Sequence, residues 1–548
     1  MSEYALDVRP AHTSHAPGAP VVLLVDLQPK PQLDVEPDVE LDGETYVEVE
    51  VTRLGRPVRT VRQSLLAARS QLDLGAFDQG SYAVSARFAD RVASTAFDVL
   101  PDANARPRYG FVTDFRPGRT DSAAVADSLR SFHLTHVQFY DWMYRHAELL
   151  PPSDEFVDTL GRDLSLAVVR DFVGATHDAG AQALAYAAVY AAGKEYAALH
   201  PEQLVHHVDG TPWMLGDFLW NTDLRPGSDW SRHIVDEMGR AVEQVGFDGL
   251  HLDQYGDPKL ATTADGVVVD FAEAFPVFID AVRDRLPDAT LIFNNVNDFP
   301  TRTTVRAQQD ATYIEVWSPH DHHADLVDLV RRARDLAPTR PVILAAYLEP
   351  FAEACGPDEV ATAKLALATT WAEGGQYLLF GERDGALVHP YYPNYATLNE
   401  TAVQTLRRFA DFSVACGDLL FDPALRECTT NLMGGINLDV VVEGVPTSTY
   451  PTSGAVWVRV SASGARLVVQ LVDFRTQHDG RWNHPRQQTG ECAAVTVRVR
   501  AATGGAPAWF GHPMGGPGLT ELSVARDGEY HVVELPSFDT WGLLVIDR

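Results

Sequence analysis

Two acidic residues follow apolar runs in the middle of the sequence. Asp253 lies near the end of GFDGLHLDQYG (Gly246 to Gly256), and Glu315 lies within DATYIEVWSP (Asp310 to Pro319). Two carboxyl groups about 5 to 5.5 Å apart can hydrolyse an acetal with retention, because one attacks the anomeric carbon and the other protonates the leaving oxygen. A single acid at such a position pairs with an arginine or caps a helix about as often as it takes part in catalysis. The assignment therefore depends on the elements that carry both acids.

These elements alternate between short apolar runs and amphipathic stretches, which is the pattern of βα units around a parallel sheet. Eight strand candidates begin at Tyr109, His136, Ala183, Gly249, Leu291, Tyr313, Val342 and Tyr377. Helices are predicted over Asp121–Phe132, Ser165–Ala179, Trp230–Val245, Asp270–Leu286 and His323–Leu336. Eight repeats over about 300 residues predict a (β/α)8 TIM barrel, with Asp253 at the end of strand four and Glu315 at the end of strand six.

Strand-like sequences without helices flank the predicted barrel. Short runs rich in valine and threonine occupy residues 21–100, and alternating runs return from about Cys416 onward. Each set predicts a β-sandwich. The polar segment Pro101–Pro107 has proline at both ends and is predicted to be a linker. We expect a multidomain α/β protein with an N-terminal sandwich over residues 1–105, a barrel over 106–413 and a C-terminal sandwich over 414–548.

Polar and aromatic residues close the other predicted strands, where a barrel of this type builds its active site. They are Asp114, Tyr140, Asp141, Trp142, Gln254, Asn294, Asn295, Trp317, Tyr347, Glu349 and Glu382. Several carboxylates at one rim favour a functional site over packing, because charged groups avoid burial unless they are paired. Aromatic faces pack well against pyranose rings, and no GxGxxG or P-loop sequence opens a helix. The rim therefore favours a sugar over a nucleotide.

The charge of the chain restricts its partners. There are 75 acidic and 44 basic residues, and the resulting net charge of −31 repels nucleic acids and anionic lipid surfaces. We expect no nucleic-acid partner and no membrane association, whereas a neutral sugar polymer is compatible with this charge. Residues 1–20 show no signal-peptide pattern, which predicts a cytoplasmic protein. An in-frame signal sequence upstream would make it a secreted one.

No metal or other cofactor is expected. The consecutive residues His320, Asp321, His322 and His323 follow a proline at a predicted helix start, where capping is a better interpretation than metal binding. Asp248 precedes strand four and is expected to form a salt bridge or a turn. The cysteines lack CxxC spacing and are expected to be buried free thiols: Cys355, Cys416, Cys428 and Cys492.

The segments around the two acids resemble glycoside hydrolase family 66, which contains endo-dextranases and cycloisomaltooligosaccharide glucanotransferases. The resemblance is carried, in chain order, by QFYDWMYRH (Gln138–His146), GFDGLHLDQYG, FNNVNDFP (Phe293–Pro300), YIEVWSP, ILAAYLEP (Ile343–Pro350) and GGQYLLFGE (Gly374–Glu382). It implies an immunoglobulin-like N-terminal domain, a catalytic (β/α)8 barrel and a C-terminal β-sandwich. It also implies an α-1,6-glucan as substrate.

The resemblance also implies roles for single residues. Asp253 matches the family's nucleophile and Glu315 its acid/base. In strand two, the sugar-binding segment corresponds to Tyr140, Asp141 and Trp142, and Asn295 and Trp317 lie beside the reacting positions. The predicted substrate-binding residues also include Tyr347, Glu382 and Asp114.

The sequence therefore predicts a retaining hydrolase of dextran or isomalto-oligosaccharides that needs no cofactor. A cycloisomaltooligosaccharide glucanotransferase and a hydrolase of another α-glucan stay open as alternatives. The glucanotransferases carry a carbohydrate-binding module inserted in the barrel, and no connection in this sequence is long enough for one, which favours hydrolysis. A non-catalytic glucan-binding protein is an alternative of another class, but the presence of both carboxylates argues against it.

Overall fold

The computed structural model describes residues 4–29, 46–65, 67–464, 466–487, 490–500 and 506–547. Within these ranges, eight parallel strands form one sheet whose order follows the chain. They are Tyr109–Val112, His136–Phe139, Gln182–Ala188, Gly249–Asp253, Thr290–Val296, Ala311–Glu315, Val342–Ala345 and Gln376–Tyr377. A parallel bridge between Phe111 and Gly381 joins the first strand to the segment after the eighth. The sheet thus closes into a barrel, which confirms the predicted fold.

Helices follow the barrel strands and bury one face against the sheet. Helix Asp229–Val245 shows why: Ile234, Met238 and Ala241 recur at helical spacing and are fully buried. Ser228 caps its start by accepting a hydrogen bond from the Ser231 amide. The other long helices are Ser122–Ser131, Leu166–Asp178, Phe271–Arg285, His323–Leu336, Pro357–Ala372 and Glu400–Ala415, and the short ones are Lys194–Leu199, Thr301–Thr304, Pro350–Glu353, Gly417–Leu420 and Thr429–Leu432.

The connections after the strands carry small antiparallel sheets. The third connection is the longest, and one of its residues, Leu215, lines the same cavity as Asp253 and Glu315. The paired segments are Glu155–Val157 with Asp163–Ser165; Ala191–Gly193, Leu219–Asn221 and Met214–Leu215; Val205–His206, Leu260–Thr263 and Val268–Asp270; and Gly385–Ala386 with Ala396–Thr397. The 3-10 helices are Ala103–Ala105, Pro201–Gln203, Glu382–Asp384, Tyr392–Asn394 and Pro513–Gly515.

Two sheets that share one apolar core precede the barrel. In strand Tyr46–Arg53 every second residue is buried, so that Val47, Val49 and Val51 face the other sheet. One sheet contains Tyr4–Pro10, Pro20–Pro29 and Arg69–Ala76, and the other contains Arg56–Ser64, Tyr46–Arg53, Gly80–Phe88 and Arg91–Val99. This arrangement is a β-sandwich. A buried ion pair between Arg108 and Asp98, at 2.6 Å, joins it to the start of the barrel.

A second pair of sheets follows the barrel and has an apolar core of its own. The larger sheet contains Arg426–Glu427, Thr447–Ser448, Val456–Ser463, Arg466–Asp473, Trp541–Asp547, Ala508–Gly511 and Thr520–Leu522. The smaller sheet contains Val440–Glu443, Thr496–Arg500, Tyr530–Glu534 and Ala525–Asp527, and a separate hairpin joins Met433–Gly434 to Asn437–Leu438. The flanking β domains agree with the prediction. The boundaries at residues 105 and 413 stay a prediction.

The environment of the cysteines differs in part from the prediction. Cys416 and Cys492 are buried, whereas Cys355 and Cys428 are only half-buried. In the described ranges, no helix is both long enough and apolar enough to cross a membrane.

Candidate active site

A cavity of about 380 Å³ opens at the carboxyl ends of the barrel strands. Asp253 and Glu315 both face it, as the sequence predicts for two acids at the ends of strands four and six. Its walls are rich in aromatic side chains. The lining residues include Tyr140, Tyr186, Asn294, Trp317, Tyr347 and Tyr392.

Asp253 is held by two donors from neighbouring strands. The phenol of Tyr186, in strand three, donates to its Oδ2 at 2.7 Å, and Nδ2 of Asn294, in strand five, donates to its Oδ1 at 2.8 Å. Both oxygens are therefore fixed in orientation. Burial, and next to it the charge of Glu315, raises the pKa of Asp253 to about 7, against the effect of these hydrogen bonds.

Glu315 is held in a similar way from the other side of the cavity. The phenol of Tyr347, at the end of strand seven, donates to its Oε1 at 2.5 Å. Nδ2 of Asn294 donates to its Oε2 at 3.0 Å. Burial raises the pKa of Glu315, while the hydrogen bonds from Tyr347 and Asn294 oppose this shift.

Asn294 therefore connects the two carboxyl groups. One nitrogen contacts an oxygen of each acid, at 2.8 and 3.0 Å, so these two oxygens lie at most about 6 Å apart. Two negative charges at this separation inside a buried cavity repel each other strongly. The pair consequently holds one proton more readily than two separate carboxyl groups would.

Aromatic side chains form much of the cavity wall above the acids. Tyr140 stacks on Tyr392, with ring centroids 4.3 Å apart and an angle of 10° between the rings. The centroid of the Trp317 indole lies 5.5 Å from that of the Tyr347 ring, and Trp317 is 38% exposed, so part of it is accessible to solvent. Such surfaces suit the apolar faces of sugar rings. The predicted rim residues Tyr140, Trp317 and Tyr347 thus do line the cavity.

Sequence comparison shows to which family the chain belongs. The sequence model of glycosyl hydrolase family 66 matches residues 29–545. The chain belongs to glycosyl hydrolase family 66. Two known proteins are similar to parts of it: a cycloisomaltooligosaccharide glucanotransferase of Niallia circulans, 29% identical over 286 residues, and a dextranase of Streptococcus salivarius, 24% identical over 393 residues. The first match covers 46% of this chain and 29% of the relative, and the second covers 59% and 47%. The chain thus matches less than half of the length of either relative.

A solved structure agrees with the fold of this family 66 chain. The crystal structure of a Paenibacillus sp. cycloisomaltooligosaccharide glucanotransferase, complexed with cycloisomaltoheptaose, superposes with a TM-score of 0.87. The superposition covers 98% of this chain and 100% of that chain, at 18% sequence identity. At this level of identity the likeness establishes the architecture.

Two predicted binding residues of the family 66 chain lie in the protein core instead of the cavity. Trp142 is 0% exposed, packs against Phe247 with ring centroids 4.9 Å apart, and donates to the backbone carbonyl of Tyr186 at 3.2 Å. Asn295 is also fully buried, and its amide donates to the carbonyl of Tyr313 at 2.8 Å. Successive residues of a strand point to opposite faces of the sheet, so Asn295 faces away from the cavity while Asn294 faces into it. Their placement does not support a role in sugar binding.

Asp141 follows Tyr140 but is not among the residues that line the cavity. Its carboxyl group is buried and lies 3.4 Å from the guanidinium of Arg162. Burial raises the pKa of Asp141 to about 7, although the charge of Arg162 acts in the opposite direction. In this position Asp141 supports the wall of the cavity from behind.

Asp114 and Glu382 also lie outside the cavity that holds Asp253 and Glu315. Glu382 is 0% exposed and forms a 2.5 Å ion pair with the buried guanidinium of Arg119. It also accepts a hydrogen bond from the Asp114 amide at 3.1 Å. The Asp114 carboxylate pairs with Arg116 and lies 3.4 Å from Arg383. These two acids belong to an ion-pair network that joins the ends of strands one and eight. Ion pairing is a common role for a single acid at the end of a strand.

Asn294 was expected at the rim but without an assigned role, and Tyr186 and Tyr392 were not expected there. The sequence could have shown that Asn294 faces inward. Alternate residues of a strand share a face, and Ile292, two residues earlier, lies in the barrel interior. Tyr186 lies within strand three, before its end, and Tyr392 lies in a 3-10 helix far along the chain. Neither position carries a comparable local signal.

The histidine-rich run His320 to His323 lies at the start of helix His323–Leu336. Among the described residues, no group of three or more histidine, cysteine, aspartate or glutamate side chains is arranged to hold a metal ion. His323 is buried against Phe474, and the amide of His322 donates to the Asp325 carboxylate at 2.8 Å, in a helix-capping arrangement. Asp248 binds the Ala183 amide at 2.7 Å and His177 at 2.8 Å, which confirms its predicted structural role.

Proposed function

We propose that this protein is a retaining glycoside hydrolase that cleaves α-1,6-glucosidic linkages of dextran or isomalto-oligosaccharides. The observation that carries the proposal is that the amide of Asn294 donates to both Asp253 and Glu315. The two carboxylate oxygens that accept these hydrogen bonds are therefore at most about 6 Å apart. Retaining enzymes have carboxyl groups about 5–5.5 Å apart, whereas inverting enzymes need about 6.5–9.5 Å to admit a water molecule. The geometry supports the retaining mechanism.

In the proposed first step, ionised Asp253 attacks the anomeric carbon and protonated Glu315 delivers its proton to the departing oxygen. Tyr186 and Asn294 hold the Asp253 oxygens in place for this attack. The result is a β-linked glycosyl-enzyme and a free sugar hydroxyl. In the second step, ionised Glu315 removes a proton from water as the water attacks the anomeric carbon, which restores the α configuration.

The division of roles requires one proton on the pair. Burial raises the pKa of both acids, which favours a pair that keeps one proton. We assign it to Glu315, because an acid that protonates a leaving group must hold a proton at the start of the reaction. No cofactor enters either step.

The choice of an α-1,6-glucan is supported by the relatives. One is a dextranase, and the superposed glucanotransferase is complexed with cycloisomaltoheptaose. The exposed indole of Trp317 and the stacked pair Tyr140 and Tyr392 give the cavity apolar surfaces that suit glucose rings. A neutral polymer is also compatible with the net charge of −31.

Incubation with dextran and with isomalto-oligosaccharides, followed by proton NMR of the fresh products, tests the proposal. We expect new reducing ends in the α configuration, which later mutarotate. Initial β-anomers would contradict the retaining mechanism. Binding of dextran without release of reducing sugar would favour a non-catalytic glucan-binding protein.

A cycloisomaltooligosaccharide glucanotransferase is the second candidate, because the superposition with such an enzyme covers 98% of this chain. The same incubation separates the two functions. Mass spectrometry distinguishes linear products from cyclic ones, which are lighter by one water. A parallel panel of α-1,3-, α-1,4- and α-1,6-glucans tests the linkage.

A further inference from the structure

Three arginines line a small cavity at the end of the barrel opposite Asp253 and Glu315. The cavity of about 80 Å³ lies where strands seven and eight begin, and its walls include Arg106, Arg334 and Arg340. No described residue in its lining is acidic. This concentration of positive charge stands out in a chain whose net charge is −31.

Two of these arginines have no acidic partner. Arg106 pairs with Asp418 at 2.8 Å. In contrast, no carboxylate of the described residues lies within 4.0 Å of the Arg334 or Arg340 guanidinium. Burial lowers the pKa of both arginines, and the charge of Arg459 adds to this effect at Arg334. The charges of Glu373 and Asp335 oppose the shift at Arg334, and that of Asp310 opposes it at Arg340.

Backbone carbonyls satisfy only part of these two guanidinium groups. Nη1 of Arg334 donates to the carbonyl of Glu373 at 3.0 Å. Arg340 donates from Nη1 to Val305 and from Nη2 to Ala307, at 2.9 and 3.0 Å. Each guanidinium has five N–H donors, so donors remain that can bind a ligand.

Two further residues shape the cavity. Gln376 is 5% exposed, lines the cavity, and makes no side-chain hydrogen bond with the residues that the structure describes. The amide of Gln376 can therefore donate a hydrogen bond to a ligand in the cavity. Gly374 has φ +88°, and a Cβ there would collide with Nη1 of Arg334. A glycine at this position thus leaves space for the guanidinium.

We propose that this cavity binds the tetrahedral oxyanion of phosphate, either free or at the end of a phosphomonoester. Arginine donors match the oxygens of phosphate in geometry and charge, and a bound dianion would neutralise Arg334 and Arg340 together. The volume of about 80 Å³ admits several water-sized groups and is far below the roughly 300–1,000 Å³ of pockets for larger ligands. A phosphoryl group fits this size, and a sugar ring does not.

A neighbouring cavity provides space for the organic part of a phosphomonoester. It has a volume of about 600 Å³ and shares Ala105, Arg106, Phe421 and Pro423 with the smaller one. An ester whose phosphoryl group contacts Arg334 and Arg340 can extend past Arg106 into it. The two sources of phosphate therefore differ in the number of contacts that they can make.

Calorimetric titration of the whole protein with inorganic phosphate and with a hexose monophosphate, at constant ionic strength, tests the site. We expect saturable binding of one equivalent. Arg334→Gln and Arg340→Gln should each weaken it by roughly tenfold or more, since each removes a charged hydrogen bond. Arg408→Gln, in an exposed arginine of helix Glu400–Ala415, is the control and should bind as the unchanged protein does. If the unchanged protein binds phosphate and the hexose monophosphate with equal affinity, free phosphate is the ligand. If it binds the hexose monophosphate more tightly, the phosphomonoester is the ligand.

Gln376→Glu gives a second test that does not depend on removing an arginine. The new carboxylate would replace the anion from within the chain, so the midpoint of thermal unfolding without phosphate should rise and the binding of phosphate should be lost. Absence of saturable binding to the unchanged protein would overturn the proposal. It would also be overturned if both arginine variants bound phosphate as tightly as the unchanged protein does, or if Gln376→Glu left phosphate binding unchanged. None of these measurements depends on glycosidase activity.

Discussion

The phenol of Tyr347 donates a 2.5 Å hydrogen bond to Glu315 and so joins the ends of barrel strands seven and six. A hydrogen bond of this kind stabilises the ionised carboxylate, while burial stabilises the protonated acid. The two effects oppose each other at one group. In the proposed mechanism, Glu315 must both lose and regain a proton, and this balance suits that requirement.

Tyr347→Phe should shift the pH dependence of activity. Without its donor, the Glu315 carboxylate is less stable and the pKa of Glu315 rises further, so the acid stays protonated to a higher pH. We expect the basic limb of the kcat/KM profile to move up by about one pH unit and kcat to fall about tenfold. Tyr377→Phe is the control, because among the described residues its phenol donates to the backbone carbonyl of Ala346 and does not contact Glu315. A shift of the basic limb to lower pH would contradict the role of Tyr347.

Asn294→Ala should reduce kcat about a hundredfold with little change in KM, because the amide positions both carboxyl groups and is not proposed to bind the sugar. Its neighbour Asn295 provides the matched control. Asn295→Ala should lower the free energy of unfolding by about 1–3 kcal/mol, because it removes buried hydrogen bonds, and kcat of the folded enzyme should change little. Kinetics and urea unfolding of both variants distinguish the two roles, and a larger loss of kcat in Asn295→Ala would reverse the assignment.

Asp253→Ala and Glu315→Ala should respond differently to azide. With an aryl α-glucoside that has a good leaving group, Glu315→Ala still forms the β-linked glycosyl-enzyme, and azide converts it to the α-glycosyl azide. Asp253→Ala cannot form that intermediate, so azide attacks the substrate directly and yields the β-glycosyl azide. NMR of the isolated azides identifies each anomer. If the anomers are exchanged between the variants, the two roles are reversed.

Asp253 should make the stability of the protein depend on pH. Its pKa is about 7 in the folded protein and about 3.9 in an unfolded chain, so the folded state binds this proton more tightly. The contribution of Asp253 to stability therefore falls as the pH rises from about 4 to about 7 and is constant above that range. Asp253→Asn removes the buried charge and should stabilise the protein by about 2 kcal/mol at pH 8, but not at pH 4.

Asp98 is a control with the opposite sign. Burial acts to raise its pKa, but the charge and hydrogen bonds of Arg108 outweigh burial and lower it. Asp98→Asn should therefore destabilise the protein at pH 8. Thermal unfolding at pH 4 and pH 8 measures both variants. Destabilisation by Asp253→Asn at pH 8 would show that the Asp253 carboxylate is not under electrostatic strain.

Trp317 and Trp142 should separate binding from stability. Trp317→Ala removes an exposed ring from the cavity and should raise KM for isomalto-oligosaccharides about tenfold, with a small effect on stability. Trp142→Ala creates a hole in the core and should cost about 3–5 kcal/mol of unfolding free energy. Measurements of KM and of unfolding in denaturant test both variants. An unchanged KM in Trp317→Ala would exclude the indole as a sugar platform.

The sequence by itself determined the barrel and the meeting of Asp253 with Glu315. Apolar runs at βα spacing form parallel strands in chain order, and the closed barrel brings all their carboxyl ends to one rim. A residue that ends a strand is therefore placed at this rim whatever the details of packing. The flanking β domains followed in the same way from alternating apolar residues.

Only the tertiary structure decided which of the rim residues face the cavity. Asn294 and Asn295 are adjacent and chemically identical, yet one contacts both acids and the other binds backbone in the core. The register between neighbouring strands fixes this choice, because a shift by one residue exchanges the two faces of a strand. The position of Glu382 outside the cavity likewise depends on a distant residue, Arg119, whose buried guanidinium pairs with it. Partners that lie far apart in the chain are set by folding, and residue type alone does not specify them.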